Sequence, residues 1–181
     1  MTRIHVLSGP ESSGKTTMAT ALAGYWSAPL VPEQARLYLN EKKQTDPDFI
    51  YQQSDLLAIA RQQSEIEQDV LLQEPASIFC DTDLLVIMVW SEVRFGKCDA
   101  WIIEQFERSL SSGQRHYILC DWQIPWEVDP LREHPDDRKE LFGLYQEKMR
   151  EYGILYTAVS GSTMQRFKQA YAAISQLNER R

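Results

Sequence analysis

The sequence predicts an α/β fold of three layers, about five parallel strands flanked by helices on both faces. Three observations predict it. Short strand-like apolar runs alternate with helical periodicity along the chain, the first run leads through a glycine-rich turn straight into a helix, and two later runs each close on an aspartate. Such alternation implies a parallel sheet with helical crossovers and ligands at the carboxyl ends of the strands. With 181 residues and 43% apolar content the chain can bury one core, so residues 1–181 are expected to form a single domain.

Residues 3–8 (RIHVLS) set Ile4, Val6 and Leu7 in a β-type run. In 15–26, Met18, Ala21, Leu22, Tyr25 and Trp26 recur at helical spacing and predict one apolar face, which Gly24 weakens near its end. A short second strand is expected around Pro29 to Pro32, with EQARLYLNEK after it as a helix. Asp46 followed by Pro47 reads as an N-cap with proline at the first helical position. It would open a long helix to about Gln73, with Leu56, Ile59, Ile66 and Val70 on one side.

Residues 77–81 (SIFCD) and 115–121 (RHYILCD) read as the third and fourth strands. Between them the run LLVIMVW fits a buried strand or a buried helix by periodicity, and its closeness to the preceding strand favours the helix. Residues 99–111, 136–152 and 163–178 read as helices, 121–135 as a Trp- and Pro-rich loop, and 154–159 (ILYTAV) as the fifth strand.

A net charge of −7 without a basic stripe argues against a nucleic-acid partner, though it leaves anionic small molecules open. The longest apolar run, Leu84 to Trp90, is far shorter than the roughly 20 residues that span a bilayer, so no membrane is expected. MTRIHVLSG lacks an apolar h-region and a cleavage site, which points to the cytoplasm. Cys80, Cys98 and Cys120 are unclustered and fit reduced packing thiols, and His5, His116 and His134 show no zinc spacing.

Gly9-Pro10-Glu11-Ser12-Ser13-Gly14-Lys15-Thr16 satisfies G-x-x-x-x-G-K-[ST] in full, between a strand and a helix. This P-loop pattern cradles phosphates with successive backbone N–H groups and a positive helix end. Lys15 is assigned to the β- and γ-phosphates and Thr16 to Mg²⁺, with Glu11, Ser12, Ser13 and Thr17 counted in the cradle. ATP and Mg²⁺ are therefore the expected cofactors.

Asp81, closing the third strand, is placed to hold the metal shell, while Asp83 fits either a substrate contact or a cap on the helix near Leu84. Glu33 is a candidate base for an attacking hydroxyl and Arg36 a candidate anion ligand, unless the two are a surface pair at i,i+3. The segment 121–138 has the length and composition of a lid, with Arg132 and Arg138 as candidates for charge on a transferred phosphoryl group. The alternative is a solvated loop paired with Glu133, Asp136 and Asp137. Trp122 and Trp126 fit a stacked ring or plain packing, and Ser160-Gly161 fits an adenine-side turn or a plain turn.

With GPESSGKTT, VPEQAR, DTDLL, IPWEVDPLREHPDDR and VSG in this order, the chain resembles the ribosylnicotinamide kinase domain of the NadR family over nearly its whole length. The resemblance implies a P-loop kinase that uses ATP and Mg²⁺ to phosphorylate the ribose 5′-hydroxyl of nicotinamide riboside. It implies that Glu33 and Arg36 lie by the substrate, that Asp81 contacts metal or ribose, and that Trp126, Asp129, Arg132 and Arg138 form the lid. It also favours a helix for Leu84 to Trp90. Family members carry aromatics near the VPEQAR segment, whereas here the neighbours are Leu30, Val31, Pro32 and Gln34. The adenylyltransferase domain and DNA-binding region of full NadR have no counterpart in these residues, so NAD synthesis and repression are not expected.

The expected function is thus a small-molecule kinase acting on a nucleoside-like hydroxyl in NAD metabolism. Two alternatives stand beside it: a P-loop ATPase or nucleotide-sensing module without an acceptor, and a kinase whose acceptor is a phosphate bound by Arg36, Arg132 and Arg138. A GTPase is disfavoured because no N-K-x-D follows the fourth strand, and a ring-forming ATPase because the length leaves no room for a helical lid domain.

Overall fold

A computed structural model describes residues 1–126 and 136–179. Five strands, β1 (Arg3–Ser8), β2 (Leu30–Val31), β3 (Ser77–Asp81), β4 (Arg115–Cys120) and β5 (Tyr156–Val159), form one sheet in the order β2-β3-β1-β4-β5. Every pairing is parallel. The helices are α1 (Lys15–Trp26), α2 (Gln34–Thr45), α3 (Gln53–Leu71), α4 (Leu84–Phe95), α5 (Ala100–Ser111), α6 (Arg138–Glu151) and α7 (Thr163–Glu179). Among the described residues no helix is long and apolar enough to cross a membrane.

The pleat sends alternate residues to opposite faces. Val6, in register with Cys80 and Tyr117, joins the larger core with Leu56 and Ile59 of α3, Leu85 and Met88 of α4 and Phe106 of α5. Leu7, in register with Ile118, faces the other way, against Met18 and Leu22 of α1 and Ala170 and Ile174 of α7. Helices therefore cover both faces, as the alternation of the sequence predicts, and LLVIMVW is a helix.

Two local expectations are corrected. The long helix starts at Gln53, not at Asp46-Pro47. Asp46 instead closes α2, its N–H donating to Lys42 O at 2.8 Å, and its carboxylate accepts from Asp48 N in a local turn. The helix is capped by a reciprocal box, in which Gln52 N donates to Asp55 Oδ2 at 2.7 Å. The buried face of α1 is Met18, Ala19, Leu22 and Ala23, while Ala21 and Tyr25 are exposed. The helix is wedged between the sheet and α7, which rotates its buried stripe, and Tyr25 joins an aromatic edge with Trp26, Phe167 and Tyr171.

Two polar clusters are buried in these layers. Arg115 of β4 pairs with Glu67 of α3 and, at 3.4 Å, with Asp83, to which Tyr117 Oη also donates at 2.6 Å. On the opposite face His5 stacks on Phe79 and meets His116, Nδ1 to Nδ1, at 3.4 Å. Burial lowers the pKa of His5 to about 3 and that of His116 to about 4, so both rings are neutral in the folded protein.

Candidate active site

The loop from Gly9 to Gly14 leaves the carboxyl end of β1 and opens α1. Gly9 has φ 134°, and a Cβ there would stand 2.4 Å from Cys120 O, so the loop lies directly on the exit of β4. Gly14 takes φ 80° and Ser12 φ 53°, both left-handed. Lys15 arches back across the loop, Nζ donating to Gly9 O at 2.9 Å and to Pro10 O at 2.7 Å. The first amides of α1 have no intrahelical acceptor and, with the helix dipole, make an anion site.

Beside this cradle lies Asp81, only 3% exposed, whose Oδ1 is buried without a partner and whose carboxyl feels the nearby Thr16 hydroxyl. Burial raises the Asp81 pKa against the lowering effect of Thr16, Lys15 and Arg36. An orphaned buried carboxylate oxygen next to a hydroxyl on a P-loop is the donor set a hard divalent cation takes. Glu33, which precedes α2, shares the field of Lys15, Asp81, Arg36 and Glu11. Burial pushes its carboxyl up, with Lys15 the largest opposing influence.

A cavity of about 280 Å³ runs from the P-loop past Glu33 and Arg36 to a wall of Leu39, Val86, Val89, Trp90 and Tyr145. Trp90 is held by its Nε1, which donates to Tyr51 Oη at 2.9 Å. No sequence motif marks Trp90 or Tyr145 as site residues. They come from α4 and α6, elements whose apolar patterns say that they are covered but not by what. The cavity wall thus carries two aromatic rings, neither of them from the VPEQAR segment.

At the start of α6, Arg138 donates from Nη1 to Ile124 O at 2.8 Å and to Ser12 O at 3.3 Å, and its guanidinium lies 5.6 Å from the centre of the Trp126 ring. Asp129 and Arg132 lie outside the described residues. Asp83 is not a wall residue. Its carboxylate caps α4 through Leu85 N at 3.0 Å and takes the bonds of Arg115 and Tyr117. Arg166, which motif reasoning missed, reaches the cavity from α7 and pairs with Asp121 at the end of β4.

Residues 4–166 match the family described as AAA domain. Among solved structures, NadR in complex with NR superposes with a TM-score of 0.70 at 21% identity, covering 97% of this chain and 49% of that one. Thymidylate kinase from Ehrlichia chaffeensis gives 0.60 at 18% identity over 97% and 98% of the two chains. Deoxyadenosine kinase from M. mycoides with bound dATP gives 0.58 at 13%, over 97% and 99%. The chain spans about half the length of the NadR structures, and at these identities the likeness is one of fold. No curated protein matches the chain in sequence.

Proposed function

The chain belongs to the AAA domain family, and from that premise we propose that it is an ATP-dependent kinase transferring the γ-phosphate to a hydroxyl of a small nucleoside-like acceptor, with nicotinamide riboside the leading candidate. One observation carries the reading: a single cavity continues from the P-loop, past a carboxylate and an arginine, to an apolar wall with two aromatic rings. A bare ATPase has only water to admit beyond the γ-phosphate. A wall containing Trp90 and Tyr145 suits a flat ring. The fold shared with NadR, whose structure holds NR, and with a deoxyadenosine kinase supports the acceptor class.

In the proposed reaction Lys15 moves from the Gly9 and Pro10 carbonyls onto the phosphate oxygens. Backbone amides of the loop and of α1 bind the rest of the polyphosphate. Thr16 and Asp81 would hold Mg²⁺, which supplies charge neutralisation at the β- and γ-oxygens when bound. Glu33 accepts the proton of the acceptor hydroxyl as its oxygen bonds to the γ-phosphorus and the bridge to the β-phosphate breaks, leaving ADP and a phosphomonoester. Its burial favours the neutral acid and brings its basicity closer to working pH. Arg36 orients the acceptor, and Arg138, bonded to the cradle rim at Ser12, is assigned with Arg132 to the charge of the moving phosphoryl group. Asp129 and Trp126 are assigned to the same lid. The reading would put the protein in NAD metabolism in the cytoplasm.

The test is ADP release over a panel of nucleosides and nucleotides that includes nicotinamide riboside, with Lys15→Ala as control. Stimulation by a nucleoside is the expected result. If no acceptor raises turnover above background, the kinase reading is lost; stimulation by nucleoside monophosphates alone would give Arg36 a phosphate to bind.

A further inference from the structure

Arg166 belongs to no motif, yet its side chain is 3% exposed and reaches the cavity wall. Its Nε donates to Gly161 O at 2.7 Å, its Nη1 to Ser13 O and Asp121 O at 3.1 Å each, and its Nη2 pairs with Asp121 Oδ1. Asp121 is fixed in turn, since its Oδ1 also accepts from Gln123 N at 3.1 Å. One planar guanidinium thereby joins the P-loop after β1, the exit of β4 and the turn after β5.

A trans peptide points its carbonyl and the next N–H in opposite directions. Ser13 O is held by Arg166, so the Gly14 N–H is turned away from that bond. The preceding peptide is held alike, because Arg138 donates to Ser12 O and leaves the Ser13 N–H facing away from that bond. Ser12 adopts φ 53°, a conformation that a residue with a side chain keeps only when its surroundings impose it.

We propose that Arg166 is a positioning residue that presets the P-loop, fixing the Ser13–Gly14 peptide with its N–H toward the phosphate site before a polyphosphate arrives. The inference rests on the nucleotide-binding reading of the cavity and concerns binding, not transfer. A lysine at this position offers one point charge and cannot hold Ser13 O, Gly161 O and Asp121 in one plane.

The test is calorimetric titration of the whole chain with Mg²⁺-ATP and with Mg²⁺-tripolyphosphate, without acceptor. The proteins are wild type, Arg166→Lys, and Arg166→Met combined with Asp121→Asn, which leaves no lone buried carboxylate. Both variants are expected to keep the wild-type circular dichroism and to bind both ligands more weakly by the same factor, roughly 10-fold or more. Wild-type affinities with only a lower melting temperature would make Arg166 a packing residue and overturn the proposal. So would a loss confined to ATP, which would assign Arg166 to the base-side turn. A wild type that binds neither ligand overturns the nucleotide reading as well, whereas one that binds both but phosphorylates no acceptor removes only the kinase.

Discussion

At the scale of single residues, the two aspartates of the DTD segment separate into different roles although they stand two positions apart. Asp81 faces Thr16 with a free oxygen, while Asp83 is consumed by Leu85 N, Arg115 and Tyr117. Asp81→Asn should therefore abolish Mg²⁺-dependent turnover with little change in melting temperature, and Asp83→Ala should destabilise by about 3 kcal/mol, through a lost cap and a broken buried pair. Thermal melts and Mg²⁺ titrations of both variants check this. Glu33→Gln should slow turnover roughly 100-fold or more. Because burial raises the Glu33 pKa and the base must be ionised, kcat/KM of the wild type should fall on the acid side at a pH above the ordinary 4.5, a limb that the variant lacks. Gly9→Ala should lower Tm by roughly 2–10 °C and impair ATP binding, since its Cβ meets the Cys120 carbonyl. The P-loop was legible because backbone geometry dictates its glycines; of Asp83 the cap on α4 was legible but the buried pair was not, because Arg115 lies 32 positions away.

Among the elements, strand and helix types follow from periodicity, but the start of α3 does not. Asp46-Pro47 carries the local signal of a helix start, and the reciprocal bonds of Gln52 and Asp55 overrule it. Removing that box with Asp55→Ala should cost about 1 kcal/mol, read by chemical denaturation, part of it from the lost Tyr38 bond. The strands β1 and β4 set the buried His5 beside the half-buried His116. Their folded pKa values, about 3 and about 4, lie below the ordinary 6.5, so the unfolded chain binds more protons between those limits. The stability they lend is complete above pH 6.5 and drains as pH falls below it, by roughly 1.4 kcal/mol per unit for each ring. Denaturant melts from pH 7 to pH 4.5 should show this slope, reduced in a His5→Gln, His116→Gln variant; an unchanged slope would refute it.

For the whole molecule, what matters is that one cavity receives residues from the loop after β1, the segment after β4, and α1, α2, α4, α6 and α7. Trp90 stands far from the P-loop in sequence, so Trp90→Ala should raise the acceptor KM by roughly 10-fold while leaving the KM for ATP unchanged, as acceptor and nucleotide titrations would measure. By itself the sequence determined the layers, the parallel sheet, the phosphate cradle, and the strand-end position of Asp81, because each depends on short-range periodicity or on backbone geometry that only certain residues allow. The tertiary structure alone decided which apolar residues face the cavity, which acids are already spent on buried partners, and that Arg166 donates to Ser13 O. Those outcomes depend on which distant segments the sheet order brings together, and no local pattern encodes that.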